Sequence, residues 1–127
     1  MYEAKINKKD VILWGDGSSL REFTYSMDLA KILIFLLKNY DGRYPINIGN
    51  TEEFSVRQVA EKISKILKFD GNIIWDINKP KGQHKKPSSN LKLINLGWSK
   101  ENYTTFDKSL YNTCQWFLNS YPNIRGF

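Results

Sequence analysis

The stretch Val11 to Phe23 reads V-I-L-W-G-D-G-S-S-L-R-E-F, and its two glycines restrict the fold more than any other feature of the chain. Four apolar residues, Val11 to Trp14, have the pattern of a buried strand. Gly15-Asp16-Gly17 then supplies the positive-φ positions that a tight return needs. The expectation is a short hairpin whose second strand is Arg21 to Tyr25. It would set an indole, Trp14, and a guanidinium, Arg21, on one small β unit. A guanidinium carries five donors in a planar fork, a better match to a phosphate or carboxylate than any other side chain offers. On these residues alone two readings stay open: an anion reader beside an aromatic, or a plain hairpin with a solvated Arg and a core Trp.

Further along, Ser26 is positioned to cap a helix from Met27 to Asn39. In it Leu29, Ala30 and Ile32 to Leu37 are all apolar. A surface helix shows a single apolar stripe, so this one asks for burial on most sides, and a neighbour to supply it. Tyr44 to Gly49 reads as a short strand with Pro45 at its start, where a missing N–H is tolerated, and Asn50-Thr51 leaves it in a loop. Ser55 with Gln58 three residues on has the form of a capping box. Behind it Val56, Val59, Ala60, Ile63, Ile66 and Leu67 recur at helical spacing, with Arg57, Glu61, Lys62 and Lys65 outside. Asn72 to Asp76 is the next strand, and strand, helix, strand in that order implies a right-handed crossover and a parallel pair. Pro80, Gly82 and Pro87 forbid regular structure between. Ser88 to Asn90 then caps a short helix through Ile94 that stops at Gly97. Thr104 with Asp107 starts a last helix whose Phe106, Leu110, Thr113 and Phe117 face inward. The predicted fold is α/β: a short hairpin plus a small parallel strand pair with about four helices, in one domain spanning residues 1–127.

A content of 41% hydrophobic and 14% aromatic residues argues for globular order. No apolar run approaches the ~20 residues of a bilayer span, and no secretory signal opens the chain, so a cytoplasmic protein is expected. The single cysteine, Cys114, has no intrachain partner and falls in a helical pattern where a small buried hydrophobe is its ordinary role. The formal charge of +6 is local, because Lys79, Lys81, Lys85 and Lys86 sit in one stretch without an acid. A compact cluster suits a diphosphate, whereas a nucleic-acid track favours a spread stripe. His84, in the same loop, is either an added anion contact or a solvated loop histidine. Gly15-x-Gly17 is not a dinucleotide fingerprint, since no third glycine follows at the required spacing. One Cys and one His give no metal-site spacing.

The order of motifs is W-G-D-G-S-S-L-R-E-F-T, a helix, P-I-N-I-G-N, S-V-R-Q-V-A-E-K-I, K-P-K-G-Q-H-K-K, L-G-W and T-C-Q-W-F-L. It resembles the C-terminal part of the GDP-L-fucose synthases, sugar-nucleotide epimerase-reductases of the extended short-chain dehydrogenase/reductase superfamily, over roughly Tyr2 to Phe117. The resemblance implies the small substrate-binding lobe of such an enzyme, without the N-terminal Rossmann domain, as an excised domain or the product of a truncated reading frame. It implies that Trp14, Arg21 and Lys86 contact the nucleotide-sugar; Lys81 and Lys85, from the same basic stretch, complete the candidate substrate-binding set. Members commonly have an acid where this chain has Lys81, and a cation cannot accept a hydrogen bond from a ribose hydroxyl or a guanine N–H. NADP(H) is implied for the whole enzyme, bound in the Rossmann domain together with a catalytic Ser, a Tyr-x-x-x-Lys pair and a Cys/His acid-base couple. The chain has no Tyr-x-x-x-Lys, so by itself it is expected to bind no cofactor, to contribute no catalytic residue and to grip the diphosphate of a GDP-sugar weakly. Its other expected partner is a second copy of itself through the apolar helix 27–39, with no membrane and no nucleic acid. The alternative is a basic interaction module that binds nucleic acid or another anionic partner through the lysine loop.

Overall fold

A computed structural model describes residues 1–50 and 52–124. The elements in chain order are α1 (Tyr2–Ile6), β1 (Val11–Trp14), β2 (Leu20–Glu22), α2 (Ser26–Asn39), β3 (Glu53–Ser55), α3 (Val56–Leu67), β4 (Ile73–Asp76), α4 (Leu91–Asn95) and α5 (Phe106–Ser120), with a 3-10 turn at Lys100–Asn102. The fold is a small α/β arrangement with one parallel and one antiparallel strand pair.

The expected hairpin does not form. β1 pairs in parallel with β4, from Val11 opposite Ile73 to Trp14 opposite Asp76. β2 pairs antiparallel with β3, from Leu20 opposite Ser55 to Glu22 opposite Glu53. The reason lies at Gly15 and Gly17, which take φ values of +75° and +74°. These glycines do turn the chain, but they turn it over the start of α3 and not back along β1. The Arg57 amide donates to Gly17 O and the Val56 amide to Ser19 O. The indole of Trp75 lies so close to Gly17 that an added Cβ would fall 2.6 Å from it. Carbonyls of the turn thus serve the helix N-terminus, where amide donors are otherwise orphaned, and the strand groups a hairpin would pair are taken by β4 and β3.

The expected strand at Tyr44–Gly49 is also absent, and with it the parallel pairing of that segment to residues 72–76. The strand lies later, at Glu53–Ser55. Pro45 gives no donor, and the Gly49 carbonyl is satisfied by side chains, accepting from Asn90 Nδ2 at 2.6 Å and Tyr103 Oη at 2.9 Å. Ile46 and Ile48 pack instead against the buried cluster of Ile32, Leu93 and Trp98. Thr51, placed in the loop after that strand, lies outside the described residues.

Three expected caps differ as well. α2 begins at Ser26 itself, behind Tyr25, with no side-chain cap bond. Asn90 precedes α4 but spends its amide on Gly49, and α5 starts at Phe106 because Thr104 is used elsewhere. Along α5, Phe106 is buried and Leu110 and Phe117 are half-buried, but Thr113 is exposed and its hydroxyl donates to the Ser109 carbonyl. The capping box at Ser55 and Gln58 is present as expected, with both reciprocal bonds made.

A second apolar layer forms where α3 meets α5: Phe54 stacks on Phe106 at 3.9 Å between centroids, and Ala60, Leu67 and Cys114 are buried. Burial raises the Cys114 thiol above its ordinary pKa, as an inert core cysteine requires. α2 buries only Asp28 and Ile32. Met27, Leu29, Leu33 and Ile34 are exposed and Leu37 is 85% so, which leaves an apolar strip facing out, as the sequence pattern suggests. No helix among the described residues is long and apolar enough to cross a membrane.

Asp28, 1% exposed, ties α2 to the start of α5 by accepting from the Thr104 amide at 2.7 Å and its hydroxyl at 2.9 Å. Hydrogen bonds to a charged group contribute about 1.5 to 3 kcal/mol. Asp28→Ala should therefore lower the unfolding free energy by about 2 to 3 kcal/mol in urea titrations, and a loss below about 0.5 kcal/mol would contradict this role.

Candidate functional site

The site is built where the lysine-rich loop, residues 79–88, crosses the glycine turn. The parallel pairing of β1 with β4 places Trp14 and Asp76 side by side, so the turn after β1 and the loop after β4 leave the sheet at the same end. Strand alternation puts Val11 and Leu13 inward and Ile12, Trp14 and Ile74 outward, and Trp14 is 67% exposed. The core alternative for Trp14 is thereby excluded. Lys79 stands over the indole, 5.8 Å from Nζ to the ring centroid, within the range of a cation–π contact.

From there the loop lies down on the turn. A Cβ on Gly15 would come 2.7 Å from Lys81 Cβ, so the approach depends on glycine. Ser19 Oγ donates to the Lys81 carbonyl at 2.8 Å, and the Leu20 amide donates to the His84 carbonyl at 2.8 Å. Arg21, half-buried on β2, is held at one end by Nη1 donating to Leu20 O. Its Nη2 faces Gly82, where an added Cβ would sit 3.6 Å away. Glu22, next on the strand, fixes the far end of the loop by accepting from the Ser88 amide at 2.9 Å and the Ser88 hydroxyl at 2.6 Å.

Two of the loop lysines have carboxylate partners. Lys81 Nζ is 3.0 Å from Asp16 Oδ2, and Lys85 Nζ is 2.6 Å from Glu53 Oε2. Asp16 also accepts from the hydroxyl and amide of Ser18. These bonds, with Lys81, hold its carboxyl well below the usual carboxylate range. Lys86 is exposed, and neither it nor Arg21 has an ion-pair partner among the described residues. His84 is exposed and contributes its carbonyl.

Of the residues singled out in the sequence, Trp14, Arg21, Lys81 and Lys85 are therefore gathered around one strap, with Lys86 in the same segment. Asp16, Ser19, Glu22, Glu53 and Ser88, which hold that strap, were not foreseen. The D-x-S spacing of Asp16 and Ser18 carries a local signal, an Asx turn. The contacts across 62 to 66 residues of sequence, from Ser19 to Lys81 and from Glu22 to Ser88, carry none. The apolar grooves beside α5, about 390 and 280 Å³, are lined by Tyr25, Ser26 and Thr113 among others and share no residue with this strap. Among the described residues no cluster of His, Cys, Asp and Glu is arranged to hold a metal ion.

Residues 1–49 match the model of the NAD dependent epimerase/dehydratase family. The chain is 37% identical to GDP-L-fucose synthase 1 of Arabidopsis thaliana over 96% of its own length, and 37% identical to GDP-L-fucose synthase of Dictyostelium discoideum over 98%. It spans 38% and 39% of those two proteins. The fold superimposes on a crystal structure of a GDP-L-fucose synthetase from Naegleria fowleri bound to NADP with a TM-score of 0.92 and 39% identity, covering 98% of this chain and 39% of that one. An ordered run of motifs, the fold they produce and relatives alike over nearly the whole of this chain agree: residues 1–127 are similar to one part of the GDP-L-fucose synthases, and residues 1–49 match the NAD dependent epimerase/dehydratase family.

Proposed function

We propose that residues 1–127 form a single substrate-binding domain that holds the diphosphate of a GDP-sugar between the glycine turn and the lysine strap. In this reading Trp14, Arg21 and Lys86 meet the nucleotide-sugar, with Lys81 and Lys85 in the same strap. The observation that carries it is the approach of the lysine strap to β2 and β1: Arg21 Nη2 on β2 faces the strap at Gly82, and Lys79 covers the exposed Trp14. A diphosphate carries about two negative charges in a small volume and is best held by cations arriving from separate loops. Names of the relatives support GDP as the nucleotide.

The parent reaction in this reading is C3/C5 epimerisation of a GDP-4-keto-6-deoxy-sugar followed by NADPH reduction at C4. The role of these residues is orientation, holding the hexose toward the cofactor, and not bond making. NADP(H) and the acid-base groups belong to the part of the enzyme these 127 residues do not cover. The setting is cytoplasmic, and the exposed strip of α2 is covered by a second copy of the chain. Two of the four strap lysines already have carboxylate partners, which weakens the alternative of a basic module for nucleic acid.

Calorimetry should detect GDP binding near millimolar Kd, equivalent to ~4 kcal/mol, and Arg21→Ala and Lys86→Ala should each weaken it at least tenfold. Unchanged affinity in both variants would overturn the diphosphate assignment. A steep fall of affinity with salt toward oligonucleotides, exceeding that toward GDP in magnitude at low salt, would favour nucleic acid instead. The purified 127-residue chain should oxidise no NADPH in the presence of a GDP-4-keto-6-deoxy-sugar, and detectable turnover would contradict the orientation role. Each large apolar side chain left in water forgoes roughly 1.5 to 3 kcal/mol, so sedimentation at micromolar concentration should show a dimer or higher species. A monomer at all concentrations would refute self-association through α2.

A further inference from the structure

The strap has no helix or strand of its own between Pro80 and Asn90, so its shape is set by what it touches. Three carboxylates touch it at three points. Asp16 holds Lys81 at the start, Glu53 holds Lys85 in the middle, and Glu22 holds Ser88 at the end. Glu22 and Glu53 stand directly opposite each other on β2 and β3. Two carboxylates so placed repel unless each has its own donor. Ser88 serves Glu22 and Lys85 serves Glu53, whose other oxygen is buried without a partner among the described residues.

Resting on the diphosphate reading, we propose that Asp16 and Glu53 are positioning residues: they buckle the strap onto the turn through Lys81 and Lys85, and leave Arg21 and Lys86 as the cations that meet the anion. Lys81 and Lys85 then act through the shape of the strap. The low pKa of the Asp16 carboxyl keeps this buckle charged well into acid. The two roles a carboxylate can have beside an anion site differ in sign. An ambient negative charge opposes anion binding, so its removal tightens binding. A buckle, when removed, lets the cations drift and loosens it.

The test uses the whole chain and two readouts, hydrogen exchange without ligand and calorimetry with GDP. The reporter amides are Leu20, which donates to the His84 carbonyl, and Ser88, which donates to Glu22. Asp16→Asn keeps the Oδ1 acceptor used by Ser18 and removes the charge that faces Lys81. It should speed exchange at Leu20 about three- to fivefold, as loss of an exposed ion pair allows, with α3 and α5 unaffected. GDP affinity should fall by a similar factor although the protein gains a positive charge, and Asp16→Glu should restore it. Lys85→Met strands the Glu53 carboxylate and should speed exchange at Ser88 about tenfold, as loss of a partly buried partner predicts. Glu53→Gln in that background should recover part of it. Unchanged exchange with tighter GDP binding in Asp16→Asn would overturn the proposal. If the unaltered chain binds no GDP, the diphosphate reading fails, while exchange at Leu20 and Ser88 still decides whether the carboxylates hold the strap.

Discussion

The contact on which the rest of this structure depends is the approach of the lysine strap to Gly15. At that point the chain has a φ of +75° and no room for a side chain, because Lys81 occupies the place where a Cβ would be. Left-handed backbone costs an ordinary L-residue roughly 1 to 2 kcal/mol, and glycine avoids both that strain and the clash. With the strap seated there, Ser19 and Leu20 reach its carbonyls and Arg21 Nη2 comes to face Gly82. The grouping of cations is thus a result of backbone geometry first and of charge second.

Charge then sorts the lysines. A cluster of four positive groups in one stretch looks from the sequence like a uniformly basic patch. Folded, it is a mixture: two lysines are matched to carboxylates, one stands over an indole, and one projects without a counter-ion among the described residues. Such a pattern selects for a compact anion that meets specific positions over a polymer that averages over many. The exposed indole beside it supplies an apolar plane, of the kind on which a planar base or sugar face can rest.

Much of the helical structure was legible because its signals are local. The Ser55–Gln58 box and the stripe from Val56 to Leu67 are read directly from spacing, and the structure has both. The apolar run in α2 likewise announced an outward-facing strip. Strand pairing was not legible. The four strands are three or four residues long, and each takes a partner at least 31 positions away in sequence: Leu13 pairs with Trp75 and Glu22 with Glu53. A four-residue apolar run followed by G-D-G has the form of a hairpin, but β1 pairs with β4 and β2 with β3, while the start of α3 takes the Gly17 and Ser19 carbonyls of the turn between them. At Tyr44–Gly49 side chains likewise serve the backbone: the Gly49 carbonyl accepts from Asn90 and Tyr103, and the Tyr44 and Pro45 carbonyls from Lys92 Nζ.

At the site, Trp14, Arg21 and the lysines were readable as residue types suited to an anion, and the structure draws most of them to one place. Their anchors were not readable, since Ser19 in the turn before β2, and Glu22 and Glu53 on the strands, carry no local signal of the strap. The most direct measurement is amide chemical-shift mapping of the isotopically labelled chain with GDP. Shifts concentrated at Gly15, Gly17, Arg21, Gly82 and Lys86 are predicted, with the exposed face of α2 unmoved. Shifts confined to α2 and α5, with the glycine turn and strap silent, would contradict an anion site at their crossing.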